Sequence, residues 1–361
     1  MSFKSITIKH PYTPVPTSLL FFNYQFHTFV FMITIDTTSS IPKYKQIIFS
    51  IEKAILLHKL VKNEKLPSIN KICLRHNLSR DTVLLAYNEL KKRGVIYAIL
   101  GKGYFIKSID FKSEQRIFLL FDELNAFKEE IYNSFIDTIN DKANVDIFFH
   151  HFNRDVFAKL IQDSIGNYSK YIIMPSNLEH TTEIINKLPL DETYILDQTR
   201  DDLKKYPAVY QNFVKDIFTA LEKGLKRLKK YKKLVLIFPG KKEPIGMVLG
   251  FESFCTEYHF EYEIKSEFTV DSLQKGDVYI LPNDRDLVTI IENATLSKLT
   301  IGKDIGLISY NDTPLKKVVA KGITTISTNF SEMGIRLAEM ILNNTKEKIE
   351  NESQLILRKS L

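Results

Sequence analysis

The sequence predicts an α/β protein in two parts, a small basic head built on a helix-turn-helix and a larger body of doubly wound parallel sheets. Three observations carry this. The 361-residue chain has a formal charge of +7, but residues 32–107 hold 14 Lys/Arg against 5 Asp/Glu, while residues 108–361 hold 34 against 38. Within the head, apolar residues recur at helical spacing in three short segments. Beyond residue 113, β-rich runs alternate with helical patterns, the mark of a parallel sheet covered by crossover helices. The expected divisions are an extension at 1–31, a head at 32–107, a linker at 108–114 and a body at 115–361.

Composition narrows the function. With 44% hydrophobic and 26% charged residues the chain is globular. Cys73 and Cys255 are too far apart in sequence to form a disulfide framework and are expected to be reduced thiols of a cytoplasmic protein. No apolar run reaches the roughly 18–20 residues needed to span a bilayer. The aromatic run Leu19–Phe31 is interrupted by Asn23, Gln25 and His27, so residues 1–31 are expected to be disordered or a non-native extension, with Met32 opening the first domain. There is no Walker A loop, GxSxG elbow, HExxH, paired CxxC or strand-linked GxGxxG, so neither enzyme chemistry nor a cofactor or metal is expected. His150 and His151 lack nearby ligating partners in the sequence.

In the head, Tyr44, Ile47, Ile48, Ile51 and Ile55 define one face of a first helix. Pro67 blocks its continuation, and Ser68 can cap a second helix running through His76. Asn77-Leu78-Ser79 forms the turn. Ser79 can cap a third helix with inward residues Val83, Ala86, Tyr87 and Leu90, and Gly94 follows Lys91-Lys92-Arg93 at its end. Next, Val95–Leu100 and Tyr104–Ile106 read as a β-hairpin with the basic tip Gly101-Lys102-Gly103. Two helices joined by a three-residue turn, then a hairpin whose glycines admit a phosphate closely, are the parts of a DNA-binding module.

These motifs, in this order, resemble the winged-helix domain of the GntR family of bacterial transcription regulators over about residues 42–107. The resemblance implies DNA contacts from Ser68, Asn70, Ser79, Arg80, Thr82 and the wing residues Gly101, Lys102 and Gly103. Asn70 stands where that family often has arginine, and Leu84 where it often has another basic residue.

In the body, expected strands are Arg116–Phe121, Val145–Phe149, Tyr171–Met174, Tyr194–Leu196, Leu234–Phe238, Tyr262–Ile264, Val278–Leu281 and Gly306–Ser309. Open parallel sheets bind ligands at the carboxyl ends of their strands. Polar residues recur there: Asp122 and Asn125, Ser176, Asp197 and Gln198, Asn283 and Asp284, Asn311 and Asp312. With Phe127 or Tyr210 available for stacking, they suit the vicinal hydroxyls of a small sugar. Lys241 and Lys242, after Pro239-Gly240, could instead hold a phosphate.

The body resembles the periplasmic-binding-protein-like effector domain of LacI-type regulators, most clearly over Val278–Ile326. Val278-Tyr279-Ile280-Leu281-Pro282-Asn283-Asp284 is similar to the strand and Asn-Asp pair that meets the ligand. Ile305–Leu315 is similar to the segment written Gly-Tyr/Phe-Asp-Asp, and Thr324-Thr325-Ile326 to the crossover that follows. More loosely, Ile195-Leu196-Asp197 matches, as does Val209-Tyr210-Gln211-Asn212-Phe213, read as opening a long helix. The resemblance implies a two-lobed fold closing on a sugar, with Gln211 and Met247 added to the ligand set. Met247 stands where the family carries a sugar-binding arginine, which points to a deoxy or less polar sugar. The expected protein is therefore a cytoplasmic bacterial repressor, a homodimer on a double-stranded DNA operator. Its effector is a neutral or deoxy monosaccharide, with a sugar phosphate second and an enzyme on the α/β body a distant alternative.

Overall fold

The computed structural model describes residues 33–109, 115–240 and 242–361. The extension at 1–31, linker residues 110–114 and Lys241 lie outside the described residues. The chain divides into two compact units, Met1–Ser113 and Glu114–Leu361.

In the first unit, α1 (Lys43–Leu56) buries Ile47, Ile48, Ile51, Ala54 and Ile55 along one stripe. Helix α2 (Ile69–His76) starts where the Ser68 hydroxyl accepts the Lys71 N–H, and stops where Asn77 turns left-handed at φ 50°. Helix α3 (Arg80–Lys92) starts where the Ser79 hydroxyl accepts the Thr82 N–H, and buries Val83, Ala86, Tyr87 and Leu90. Strands β1 (Ile96–Ile99) and β2 (Gly103–Ile106) pair antiparallel with Ile96 opposite Ile106. The buried Tyr87 hydroxyl donates to the Pro67 carbonyl at 2.8 Å, tying α3 to the start of α2.

The second unit contains two six-stranded sheets. Lobe 1 uses β3 (Gln115–Phe121), β4 (Ala143–Phe149), β5 (Lys170–Ile173), β6 (Thr193–Asp197), β7 (Ala208–Tyr210) and β13 (Lys348–Glu350). Their spatial order is β13-β7-β6-β5-β3-β4, parallel throughout. Lobe 2 uses β8 (Lys233–Ile237), β9 (Glu261–Lys265), β10 (Asp277–Leu281), β11 (Gly306–Tyr310), β12 (Thr324–Thr328) and β14 (Ser353–Ile356). Here the order is β14-β12-β11-β10-β8-β9, with only β14 antiparallel to its neighbour. Both faces of each sheet carry helices, which is why the central strands read as unbroken apolar runs such as Ile117–Phe121. The helices are α4 (Ala126–Ile139), α5 (Arg154–Ser164), α6 (Thr181–Ile185) and α11 (Phe330–Leu342) in lobe 1. Lobe 2 has α7 (Phe213–Leu228), α8 (Gly246–Glu257), α9 (Asp284–Leu296) and α10 (Pro314–Val318). The chain crosses between lobes after β7, after β12 and between β13 and β14.

The two-part α/β architecture is the predicted one, with local departures. Val209-Tyr210 does not open a helix: these residues lie in β7, hydrogen-bonded between β6 and β13, and the helix begins at Phe213, where Asn212 accepts the Lys215 N–H. Thr324–Ile326 belongs to β12, so the crossing comes just after it. Strands β13 and β14 have no counterpart in the sequence reading, since segments of 3 and 4 residues are too short to show a period. Among the described residues no helix is long and apolar enough to cross a membrane, and no group of His, Cys, Asp and Glu is placed to hold a metal ion. His150 is a core residue, its Nε2 3.0 Å from the Met174 carbonyl oxygen and its ring edge-on to Phe157.

Candidate functional site

The helix-turn-helix brings its candidate residues onto exposed helix starts. Ser68, Asn70, Ser79 and Arg80 are exposed and Thr82 is half-buried. Both serines also cap helices, and the Ser79 and Thr82 hydroxyls lie 2.8 Å apart. Arg80 Nη1 donates to Asn70 Oδ1 at 3.0 Å, linking α2 to the first residue of α3. Capping leaves each serine oxygen a second lone pair, and the Arg80–Asn70 bond aims the guanidinium. At the wing, Gly101 and Gly103 have φ of 75° and 106°, values that favour glycine, and Lys102 between them is exposed. The positive charge of the head thus has donors on a helix start and on a hairpin tip.

In the second unit the carboxyl ends of strands from both lobes line a cavity of about 370 Å³. From lobe 1 it takes Asp122, Asn125, Phe127, Asp197, Gln198 and Gln211; from lobe 2, Met247, Asn283, Asp284 and Asn311. All ten were singled out in the sequence. Phe127 stacks on Phe330 at 5.1 Å between ring centroids, and Phe152, Phe213 and Tyr310 complete the aromatic part of the described wall. Asp197 and Asn311 hold left-handed backbones at φ 73° and 61°, which turn the chain back at their strand ends.

Other candidates sit elsewhere. Ser176 is buried with its hydroxyl donating to Asp122 Oδ2 at 2.9 Å, so it supports the wall without lining it. Asp312 points away from the cavity, gripped by Arg358 through bonds of 2.6 and 2.8 Å. Tyr210 is also absent from the wall. Asn125 and Asn283 line the cavity while capping α4 and α9.

Two buried lysines were missed. Lys128 Nζ lies 2.9 Å from Asp197 Oδ2 and 3.6 Å from Asp122 Oδ2, with the Gln211 amide donating to the other oxygen of Asp197. Burial alone would pull the Lys128 ammonium down, but the Asp197 and Asp122 carboxylates outweigh it and hold it above its ordinary value. Lys316 donates to the carbonyls of Tyr310 and Asn311 at 2.6 and 2.9 Å and pairs with Asp284 at 2.8 Å. Burial dominates there and lowers its pKa. Sequence offers no signal for either, because a lysine in a helix reads as a solvated charge. The remaining lysine of the described wall, Lys242, pairs with Glu123. Every lysine of that wall is therefore matched by a carboxylate, and Glu243 adds one more acid.

Comparison with known proteins agrees with both halves. The model for bacterial regulatory proteins of the gntR family matches residues 43–106, and that for a periplasmic binding protein-like domain matches residues 250–361. The HTH-type transcriptional repressor YtrA of Bacillus subtilis is 30% identical over 106 residues, 29% of this chain and 78% of that protein. The arabinose metabolism transcriptional repressor of Geobacillus stearothermophilus is 22% identical over 360 residues, 89% of this chain and 96% of that protein. A LacI family transcriptional regulator from Silicibacter pomeroyi shares the fold with a TM-score of 0.59 at 11% identity, over 68% of this chain and 98% of that one. A winged helix-turn-helix followed by a two-lobed periplasmic-binding-protein-like body defines a DNA-binding transcription regulator rather than an enzyme. This chain belongs to the gntR family of bacterial regulatory proteins.

Proposed function

We propose that this regulator is a cytoplasmic repressor of a carbohydrate-utilisation operon, released from its operator when a small neutral sugar occupies the cleft. The observation that carries the sugar is the wall: carboxylates and amides at strand ends of both lobes, beside stacked aromatic rings, with each described lysine already paired. Carboxylates accept from sugar hydroxyls, amides donate and accept, and rings cover the apolar face of a pyranose. Among the described residues an anionic sugar phosphate would meet surplus acid and no free cation, so the neutral ligand is the better fit. The relative named for arabinose metabolism makes L-arabinose the first sugar to try.

On the DNA side, Arg80, Asn70 and Thr82 would read bases, with Ser68, Ser79, Gly101, Lys102 and Gly103 positioning the backbone. A homodimer would present two such heads to a pseudo-palindromic operator. Ligand would act by linkage, lowering operator affinity by a coupling free energy of roughly 1–3 kcal/mol.

The test is thermal unfolding of the full chain against pentoses, hexoses, deoxy sugars and sugar phosphates, followed by operator release. A ligand that binds only the folded state raises the melting temperature. A shift with one neutral sugar that also releases DNA is expected; a shift confined to phosphorylated sugars would overturn the neutral-ligand reading.

A further inference from the structure

Resting on the reading of the cleft as the effector site, we propose that Lys242 and Glu243, which follow β8, form a strap docked across the cleft onto lobe 1, and that Glu123, Phe152 and Asn177 are the positioning residues that set how readily the cleft closes. Three successive strand ends of lobe 1 each supply one contact. Glu123, after β3, accepts from the Lys242 ammonium. Phe152, after β4, lies under the same ammonium, 4.8 Å from ring centroid to Nζ. Asn177, after β5, donates through Nδ2 to the carbonyls of Lys242 and Glu243 at 3.0 and 2.6 Å.

These contacts involve the site itself, since Glu123, Phe152, Lys242 and Glu243 all line the cavity. Two lobe 1 loops that receive the strap hold non-glycine residues in the left-handed region, Phe152 at φ 56° and Ser176 at φ 51°. Such conformations cost energy and persist where surrounding contacts hold them. The three chain crossings between lobes are covalent, whereas the strap is a non-covalent link that can break and re-form. It also spends the Lys242 charge on Glu123, so one partner sets both closure and rejection of anionic ligands.

The test uses the full chain carrying Cys73→Ser, with spin labels introduced at the exposed positions Glu130 and Glu257, one in each lobe. Ligand-free interlobe distances should lengthen in Glu123→Gln combined with Asn177→Ala, and return when Glu123→Lys is paired with Lys242→Glu in a chain retaining Asn177. High salt should lengthen them in the parent chain and have little effect in the Gln variant, because exposed ion pairs are screened. L-arabinose affinity should fall about tenfold in the double variant, the size expected for losing an exposed ion pair and amide hydrogen bonds. Ligand-free distances unchanged by substitution and salt would overturn the strap. Failure of the parent chain to bind any neutral sugar would instead count against the effector reading, with the ligand-free distances still deciding the strap.

Discussion

At the scale of single residues, the head and the body use charge in opposite ways. Arg80 is exposed and oriented by Asn70, so its charge is available to a partner. Arg80→Ala should abolish sequence-specific DNA binding while leaving sugar-induced thermal shifts intact; unchanged operator affinity would show that α3 is not the reading helix. Lys102→Ala at the wing tip should weaken binding evenly across sequences and reduce the salt slope by about one, as for one lost phosphate contact. Lys128 is enclosed and its charge balances Asp122 and Asp197. Lys128→Met should cost about 3–5 kcal/mol at neutral pH by leaving buried carboxylates unpaired. Denaturant unfolding at neutral pH checks this.

At the scale of elements, the contact between α7 and α8 sets how lobe 2 presents Met247 to the cleft. Gly250 makes it possible, since a Cβ there would lie 2.2 Å from the Val214 carbonyl oxygen and 2.5 Å from Ile217 Cγ2. Gly250→Ala must push the helices apart, and should cost about 1–3 kcal/mol and weaken sugar binding through Met247; a full-strength sugar response would separate the helix contact from the site. The strand ends show how far the site could be read in advance. Asp122, Asp197, Asn283 and Asn311 were legible because a parallel strand delivers its next residues to the ligand edge, whereas Gln211 and Met247 followed from the resemblance to LacI-type regulators. Ser176 and Asp312 occupy equivalent places in sequence, yet one supports Asp122 and the other serves Arg358, because side-chain direction after a strand depends on local turns and distant partners.

At the scale of the whole molecule, the join between lobes holds an acid that should make stability depend on pH. Asp216, near the start of α7, is 3% exposed; its Oδ1 accepts the Ser353 N–H at 3.1 Å and its Oδ2 has no hydrogen-bond partner. Burial pushes its carboxyl up to about 6. The folded state therefore holds this proton more tightly than the unfolded chain, whose aspartates titrate near 3.9. Its contribution to stability is greatest in acid and is lost as pH rises through that window to about 6. Asp216→Asn keeps an acceptor for Ser353 and removes the charge, so it should raise stability at pH 7.5 by about 1–3 kcal/mol. It should also flatten the parent's decline between pH 4 and 6, as melting curves across pH would show; parallel pH profiles for the two proteins would place the titration elsewhere.

The division of labour between sequence and fold has a physical basis. Helix caps, apolar periods, turn glycines and the local charge excess act over a few residues, so the helix-turn-helix, the wing and most strands of the body were determined by the sequence alone. Short β13 and β14 exist because β7 and β12 offer them an edge, and Tyr210 is extended because strands flank it on both sides. The buried lysines, the Arg358–Asp312 pair and the strap join residues far apart in the chain, where no spacing rule operates. Tertiary packing decided those, because desolvation makes an unpaired buried charge costly and selects the partner that satisfies it.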